Sequence, residues 1–283
     1  MRFGAFMPLT DTSISPSDFG RLLEEYGYES IFLPEHTHIP VASASAFPLG
    51  GDTPDEYRRL LDPFVALTAV AMATRNLRIA TGVCLVLQHD TVALAKRVAT
   101  LDVLSGGRVL FGVGAGWNRA EMKTHGVDPS TRMDAMVEVT EALQAMWTQD
   151  EAQYAGTYVR FAPLWSWPKP KQSPHPPVLM GGNHHNTLRR VVRTGSEWLP
   201  NLGRLDEEGL ARRLGELRAL AAERGAPAPA TTAFRINPKA QVIEQLTELG
   251  VHRSVIALPP GDESATRYRL ERFSPLLKDF ATR

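Results

Sequence analysis

Short runs rich in β-branched and aromatic residues alternate along this chain with longer stretches of helical period. The strand candidates are FGAFM, SIFL, RIATGV, RVLFGV, PVLM, EWL, TTAF and RSVIAL. The helices between them carry readable ends. Ser15-Pro16 and Asp62-Pro63 each place a capping side chain before a first-turn proline, and Asp90 opens the run TVALAKRVATLDVLS, which Gly106-Gly107 stop. In MDAMVEVTEALQAMW, Met133, Met136, Val137, Thr140, Leu143 and Trp147 fall on one face, a stripe expected to pack into the core rather than to face a cofactor.

A smaller pattern recurs within the larger one. A glycine ends a helix, a strand follows and a proline closes it, in YGYESIFLP, TGSEWLP and LGVHRSVIALP. Gly27, Gly195 and Gly250 are predicted to be left-handed helix caps, with Pro34, Pro200 and Pro259 at the carboxyl ends of strands. Strands joined through helices run parallel and are buried on both faces. Eight such units predict an α/β fold, a closed (β/α)8 TIM barrel forming one domain over residues 1–283. Two long insertions interrupt the rhythm, VASASAFPLGGDTPDEYRRLL after strand 2 and DEAQYAGTYVRFAPLWSWPKPKQSPHPP before strand 5, the latter with hairpin character at Ala155-Gly156. Loops of this length are expected to act as lids or binding loops at the catalytic end.

Composition narrows the function without naming it. Lysine plus arginine and aspartate plus glutamate balance at 31 each, which gives no field for nucleic acid or an anionic membrane. Cys84 is the sole cysteine, so no disulfide forms within the chain, in keeping with a reducing compartment. The amino terminus lacks the pattern of a signal peptide, and PFVALTAVAMA is too short to span a bilayer. A cytoplasmic protein acting on a small molecule is expected.

Chemistry-bearing residues gather where strands end. LPEHTHIP sets Glu35, His36 and His38 after strand 2, where barrel enzymes keep catalytic groups. The His-x-His spacing could clasp a metal ion, as in metal-dependent barrel hydrolases, although those use the first strand. FGVGAGWN imitates a dinucleotide fingerprint but has Trp117 in place of the third glycine, so Gly114 and Gly116 read better as close backbone approach to a flat ring, with Trp117 and Asn118 at the strand end. VLMGGNHH offers a strand, then Gly181, Gly182 and Asn183, then a helix start, the geometry of an anion site. Gly82 breaks an otherwise clean strand, as a bulge or a packing glycine would.

Together EHTHIP, ATGVCLVLQHD, LAKRVATLDVLSGGR, GVGAGWNRAEM, WSWPKPKQSPHPPVLMGG and GSEWLP resemble the luciferase-like monooxygenase superfamily, and most nearly its coenzyme F420-dependent oxidoreductase branch. The resemblance implies a barrel with the coenzyme's tricyclic ring at the carboxyl ends of the strands. It implies that Glu35 and His36 are an acid–histidine pair at the ring's reactive edge. Gly82 and Val83 would form a bulge behind the ring, containing a non-proline cis peptide, with Thr81 beside them among the coenzyme-binding residues. Asn118 would contact the ring or its side chain, and Gly181, Gly182 and Asn183 would hold the phosphate. Sugar-phosphate-oxidising members carry a glutamate where Trp117 stands, which points here to a bulkier, less polar substrate.

The function this resemblance implies is hydride transfer between F420 and a small organic substrate, with His36 exchanging the proton or hydrogen-bonding the substrate oxygen, Glu35 orienting it or contacting the coenzyme, and His38 and Trp117 facing the substrate. FMN with dioxygen on the same fold is the alternative coenzyme chemistry. A metal hydrolase using His36 and His38 is an alternative of another class, and a coenzyme-binding barrel without turnover is a third. No metal is expected in the preferred reading, and a homodimer is compatible with it.

Overall fold

The structure, a computed structural model, describes residues 1–41, 47 and 49–281. The part of the first insertion at 42–46 and 48 therefore lies outside the described residues. Eight parallel strands carry the fold: β1 (Arg2–Phe6), β2 (Ser30–Leu33), β3 (Arg78–Thr81), with its short continuation β4 (Cys84–Leu85), β5 (Val109–Gly114), β8 (Val178–Gly181), β9 (Glu197–Leu199), β10 (Thr232–Ile236) and β11 (Arg253–Ala257). They are hydrogen-bonded in the order β10-β11-β1-β2-β3-β5-β8-β9. The ring is completed by bridges from Trp198 to Thr231 and from Asn201 to Phe234, so this is the (β/α)8 barrel that the alternation predicts.

The register shows why the sequence closes into a cylinder. Phe6, Phe32, Ala80, Leu110, Leu179, Leu199, Phe234 and Val255 form a buried cluster to which each of the eight strands gives one residue. Residues one step along, such as Ile31, Ile79, Val109 and Met180, belong to the larger core between strands and helices. The interior is a packed layer and not a pore. Its amino end is plugged by Arg253, which is 1% exposed and pairs with Glu29 through two N–H groups at 2.8 and 2.9 Å.

The helices are α1 (Pro16–Glu25), α2 (Pro63–Ala73), α3 (Thr91–Leu104), α4 (Arg119–Thr124), α5 (Arg132–Thr148), α6 (His185–Thr194), α7 (Glu207–Glu223), α8 (Ala240–Glu248) and α9 (Glu263–Ala281). Ser15, Asp62 and Asp90 accept the expected capping N–H groups of Asp18, Val65 and Ala93. Gly27, Gly195 and Gly250 have positive φ, as their positions require. Among the described residues no helix is long and apolar enough to cross a membrane.

The two insertions differ in role. Phe47, Leu49 and Tyr57 of the first reach the mouth of the barrel. The second forms the antiparallel hairpin β6 (Ala152–Ala155) and β7 (Arg160–Leu164), which packs on α5. The Glu138 carboxylate fixes its turn by accepting N–H groups of Thr157, Tyr158 and Val159. No residue of this hairpin lines the mouth, so the expectation of a second lid gives way to a brace.

Candidate active site

A cavity of about 510 Å³ opens at the carboxyl ends of the strands. Its back wall is made by an interruption in the third barrel strand. β3 stops at Thr81, the Gly82–Val83 peptide is cis, and the chain resumes as β4 beside Val113 and Gly114. Glycines on the neighbouring strands make room for this bulge. A Cβ at Gly112 would run into the Thr81 carbonyl oxygen, and one at Gly114 would come within 2.6 Å of Val83 Cγ2. Val83 thus stands against bare backbone and presents its apolar side chain to the cavity.

His36 stands at the floor, at the end of β2, with its side chain 5% exposed. Its Nδ1 lies 2.6 Å from Glu121 Oε2, and its Nε2 accepts the Trp117 indole N–H at 3.0 Å. Indole can only donate, so Nε2 holds the lone pair and Nδ1 the proton, which it gives to Glu121. Glu121, on α4, also accepts the backbone N–H of Thr37. Asn118 caps that helix by accepting N–H groups of Ala120 and Glu121, and so sets where Glu121 points.

The acid joined to His36 is therefore Glu121 and not Glu35. Glu35 borders the cavity, but its carboxylate turns back behind the wall, where it accepts the Leu85 N–H at 2.5 Å and meets His89 Nε2 at 2.9 Å. Arg97 donates to His89 Nδ1 at 3.0 Å, which leaves the histidine's proton on Nε2 for Glu35. This chain of donors ties the end of β2 to β4, and so fixes His36 and Val83 relative to each other. Burial, then the neighbouring Glu35 carboxylate, push the Cys84 thiol well above its ordinary pKa.

The metal-clasp geometry does not form. His38 contacts Thr37 Oγ1 and stacks near His125, while His36 faces Glu121 and Trp117. Among the described residues, only Glu35, Cys84 and His89 hold metal-type ligand atoms within 4.8 Å of one another. There the Leu85 N–H donates to Glu35 and Arg97 donates to His89 Nδ1.

On the opposite side lies the glycine loop after β8. Gly181 and Gly182 line the cavity, Gly182 has a φ of 135°, and a Cβ on it would meet Thr187 Oγ1 at 2.8 Å. The loop is pinned from below by the Trp198 indole, which donates to the Gly182 carbonyl. α6 begins at His185 and brings its amino-terminal end to this point, with Arg204 also on the wall. Asn183 lines the cavity, but its amide is engaged with the backbone of Asn201 in both directions.

Most residues singled out from the sequence meet at this one cavity: Glu35, His36, Gly82, Val83, Gly114, Gly116, Trp117, Gly181, Gly182 and Asn183. Thr81, Asn118 and His38 do not line it. The Thr81 hydroxyl binds the Gly112 carbonyl between strands, and Asn118 serves as a helix cap. Sequence reasoning missed Glu121, Phe47, Tyr57, Arg132, Arg204 and Arg235, and it assigned to the core Met133, which lines the cavity. Glu121 follows Asn118 at capping-box spacing, a signal that reads as helix punctuation before it reads as chemistry.

A parallel barrel with this mouth defines a class, and the family follows. Residues 13–248 match the model of the luciferase-like monooxygenase family, and the chain belongs to that family. An uncharacterized protein of Mycobacterium tuberculosis is 38% identical over 282 residues, covering 98% of this chain and 99% of its own length. The FMNH2-dependent dimethylsulfone monooxygenase of Pseudomonas putida is 32% identical over 157 residues, 54% of this chain and 41% of that protein. An F420-dependent secondary alcohol dehydrogenase, solved with an F420–acetone adduct, shares the fold with a TM-score of 0.77 at 16% identity, covering 98% of both chains. A sequence relative is thus named for reduced FMN, and a protein of the same fold is named for F420.

Proposed function

We propose that this chain binds coenzyme F420 in the mouth of the barrel and catalyses hydride transfer with a small organic substrate. The observation that carries this reading is His36, held between Glu121 and Trp117 as a neutral imidazole whose Nε2 lone pair faces the indole N–H at the cavity floor. When bound, the coenzyme supplies a ring carbon that takes or gives a hydride. Val83, backed by Gly112, Gly114 and Gly181, offers an apolar surface suited to a planar ring. The Gly181–Gly182 loop and the start of α6 suit its phosphate.

The protein's own residues then handle the proton. A substrate hydroxyl that displaces the Trp117 N–H would meet the Nε2 lone pair directly, and Glu121 would stabilise the charge His36 acquires. In the reverse direction the same nitrogen would return a proton to the forming alcohol. Phe47, Tyr57 and Trp117 around His36 exclude water from the transfer.

The match to a dimethylsulfone monooxygenase keeps FMN as the alternative, and the whole-chain likeness of fold extends both to the F420-dependent dehydrogenase and to a monooxygenase of Streptomyces bottropensis. Titration of the purified protein with F420 and with FMN decides between them. F420 is expected to bind at least about tenfold more tightly, a difference of about 1.4 kcal/mol. Tighter binding of FMN would overturn the coenzyme assignment.

A further inference from the structure

Arg235 belongs to the cavity wall, yet neither barrel packing nor the coenzyme reading accounts for it. It sits in a bulge of β10, where the register with β11 shifts between Phe234 and Ile236. Its φ is 62°, and among the described residues no other non-glycine residue has a positive φ. That conformation suits glycine and opposes a long side chain, so the chain keeps an arginine at a position that resists it.

The strained backbone delivers the guanidinium to a defined place. It lies 5.2 Å above the Phe6 ring and beside the Tyr57 hydroxyl. No carboxylate among the described residues forms an ion pair with it, whereas the buried Arg253 is fully paired. A guanidinium stays charged at every working pH, so this one brings an uncompensated cation into the cavity.

Tyr57, beside this guanidinium, belongs to a closed ring of aromatic side chains. Centroid separations run 5.6 Å from His36 to Tyr57, 5.1 Å from Tyr57 to Phe47, 5.7 Å from Phe47 to Trp117 and 5.4 Å from Trp117 back to His36. Arg235 leans towards β1 and the first insertion, away from the glycine loop of β8 that suits the coenzyme phosphate. The subsite thus combines an apolar aromatic enclosure, the Arg235 cation and the proton-handling histidine, while Arg132 and Arg204 bring further positive charge to the same cavity.

We propose that the substrate is an organic carboxylate, its acid group held by Arg235 and its apolar body enclosed by Phe47, Tyr57 and Trp117. The F420 reading is presupposed for the reaction, but recognition of the anion is a property of the chain itself. The expected bond is a charge-assisted, two-pronged contact that a neutral amide of the same shape cannot reproduce.

Calorimetric titration of the full chain, with and without F420, tests this with phenylacetate against phenylacetamide and hexanoate against hexanamide. In the wild type at least one acid is expected to bind about tenfold or more tightly than its amide, the ratio typical of one charged hydrogen-bonded pair. Arg235→Met and Arg235→Gly are expected to abolish that preference and leave F420 affinity unchanged. Arg235→Gly is expected to melt no lower than the wild type, because its backbone conformation is natural for glycine. Equal binding of acid and amide in both pairs would overturn the proposal. So would survival of the preference in Arg235→Met, or a loss of F420 affinity there, which would give the cation to the coenzyme. Should the wild type bind no F420, the coenzyme reading falls, and the acid–amide comparison on the coenzyme-free protein still decides the anion site.

Discussion

Adjacent residues in this site have opposite duties. His36 and Glu35 are neighbours in sequence, but successive residues of an extended chain point to opposite sides. His36 therefore faces the cavity, and Glu35 faces the backbone it anchors. The motif EHTHIP marks the place, while the partner of His36 comes from 85 residues later in the chain. That separation is why Glu121 was not legible: its position depends on how the end of β5 meets α4, which no local pattern encodes. Nitrogen-15 NMR of labelled histidine is expected to find His36 neutral with its proton on Nδ1. Glu121→Gln should weaken that tautomer and slow turnover by about tenfold to a hundredfold, reaching only the lower end of acid–base assistance because His36 itself is kept, with coenzyme affinity nearly unchanged. A spectrum showing the proton on Nε2 would contradict the role given to Trp117.

At the scale of elements, the local code was largely readable. The eight strands, the capped helices and the Ala155-Gly156 hairpin follow from periodicity, capping side chains and turn glycines. What escaped was irregular. The strand candidate TTAF stops at Phe234, whereas the strand runs on to Ile236 through a bulge at Arg235 that places a guanidinium in the cavity. The second insertion reads as a lid, but its turn is captured by Glu138, 19 residues before Thr157 in the chain, and tertiary contact decides its place. The amino-terminal plug carries a pH prediction. Burial alone would raise the Glu29 carboxyl, but the Arg253 pair overcomes it and holds the group below its ordinary range. Its contribution is therefore complete above the unfolded value near pH ~4.3 and is lost as pH falls through the lower folded value. Glu29→Gln is expected to cost about 3 kcal/mol at pH 7, the scale of a broken buried pair. Denaturant unfolding should show that gap narrowing below about pH 4; a gap constant down to pH 2 would show that the pair contributes no charge-dependent stability.

Over the whole molecule, the barrel separates stability from chemistry along its axis. The Arg253–Glu29 plug closes the amino end, the eight-residue layer fills the middle, and the interrupted third strand and the glycine loop open the carboxyl end. Glycine is used at that end because backbone must come close: Gly112 and Gly114 yield space to the bulge, and Gly182 to Thr187. A crystal structure of the protein with F420 bears most heavily on this arrangement. The tricyclic ring is expected in van der Waals contact with Val83, its phosphate at Gly181–Gly182, and its reactive carbon on the side of His36. A coenzyme bound outside the barrel mouth, or one whose phosphate is held by Arg235 in place of the glycine loop, would contradict it.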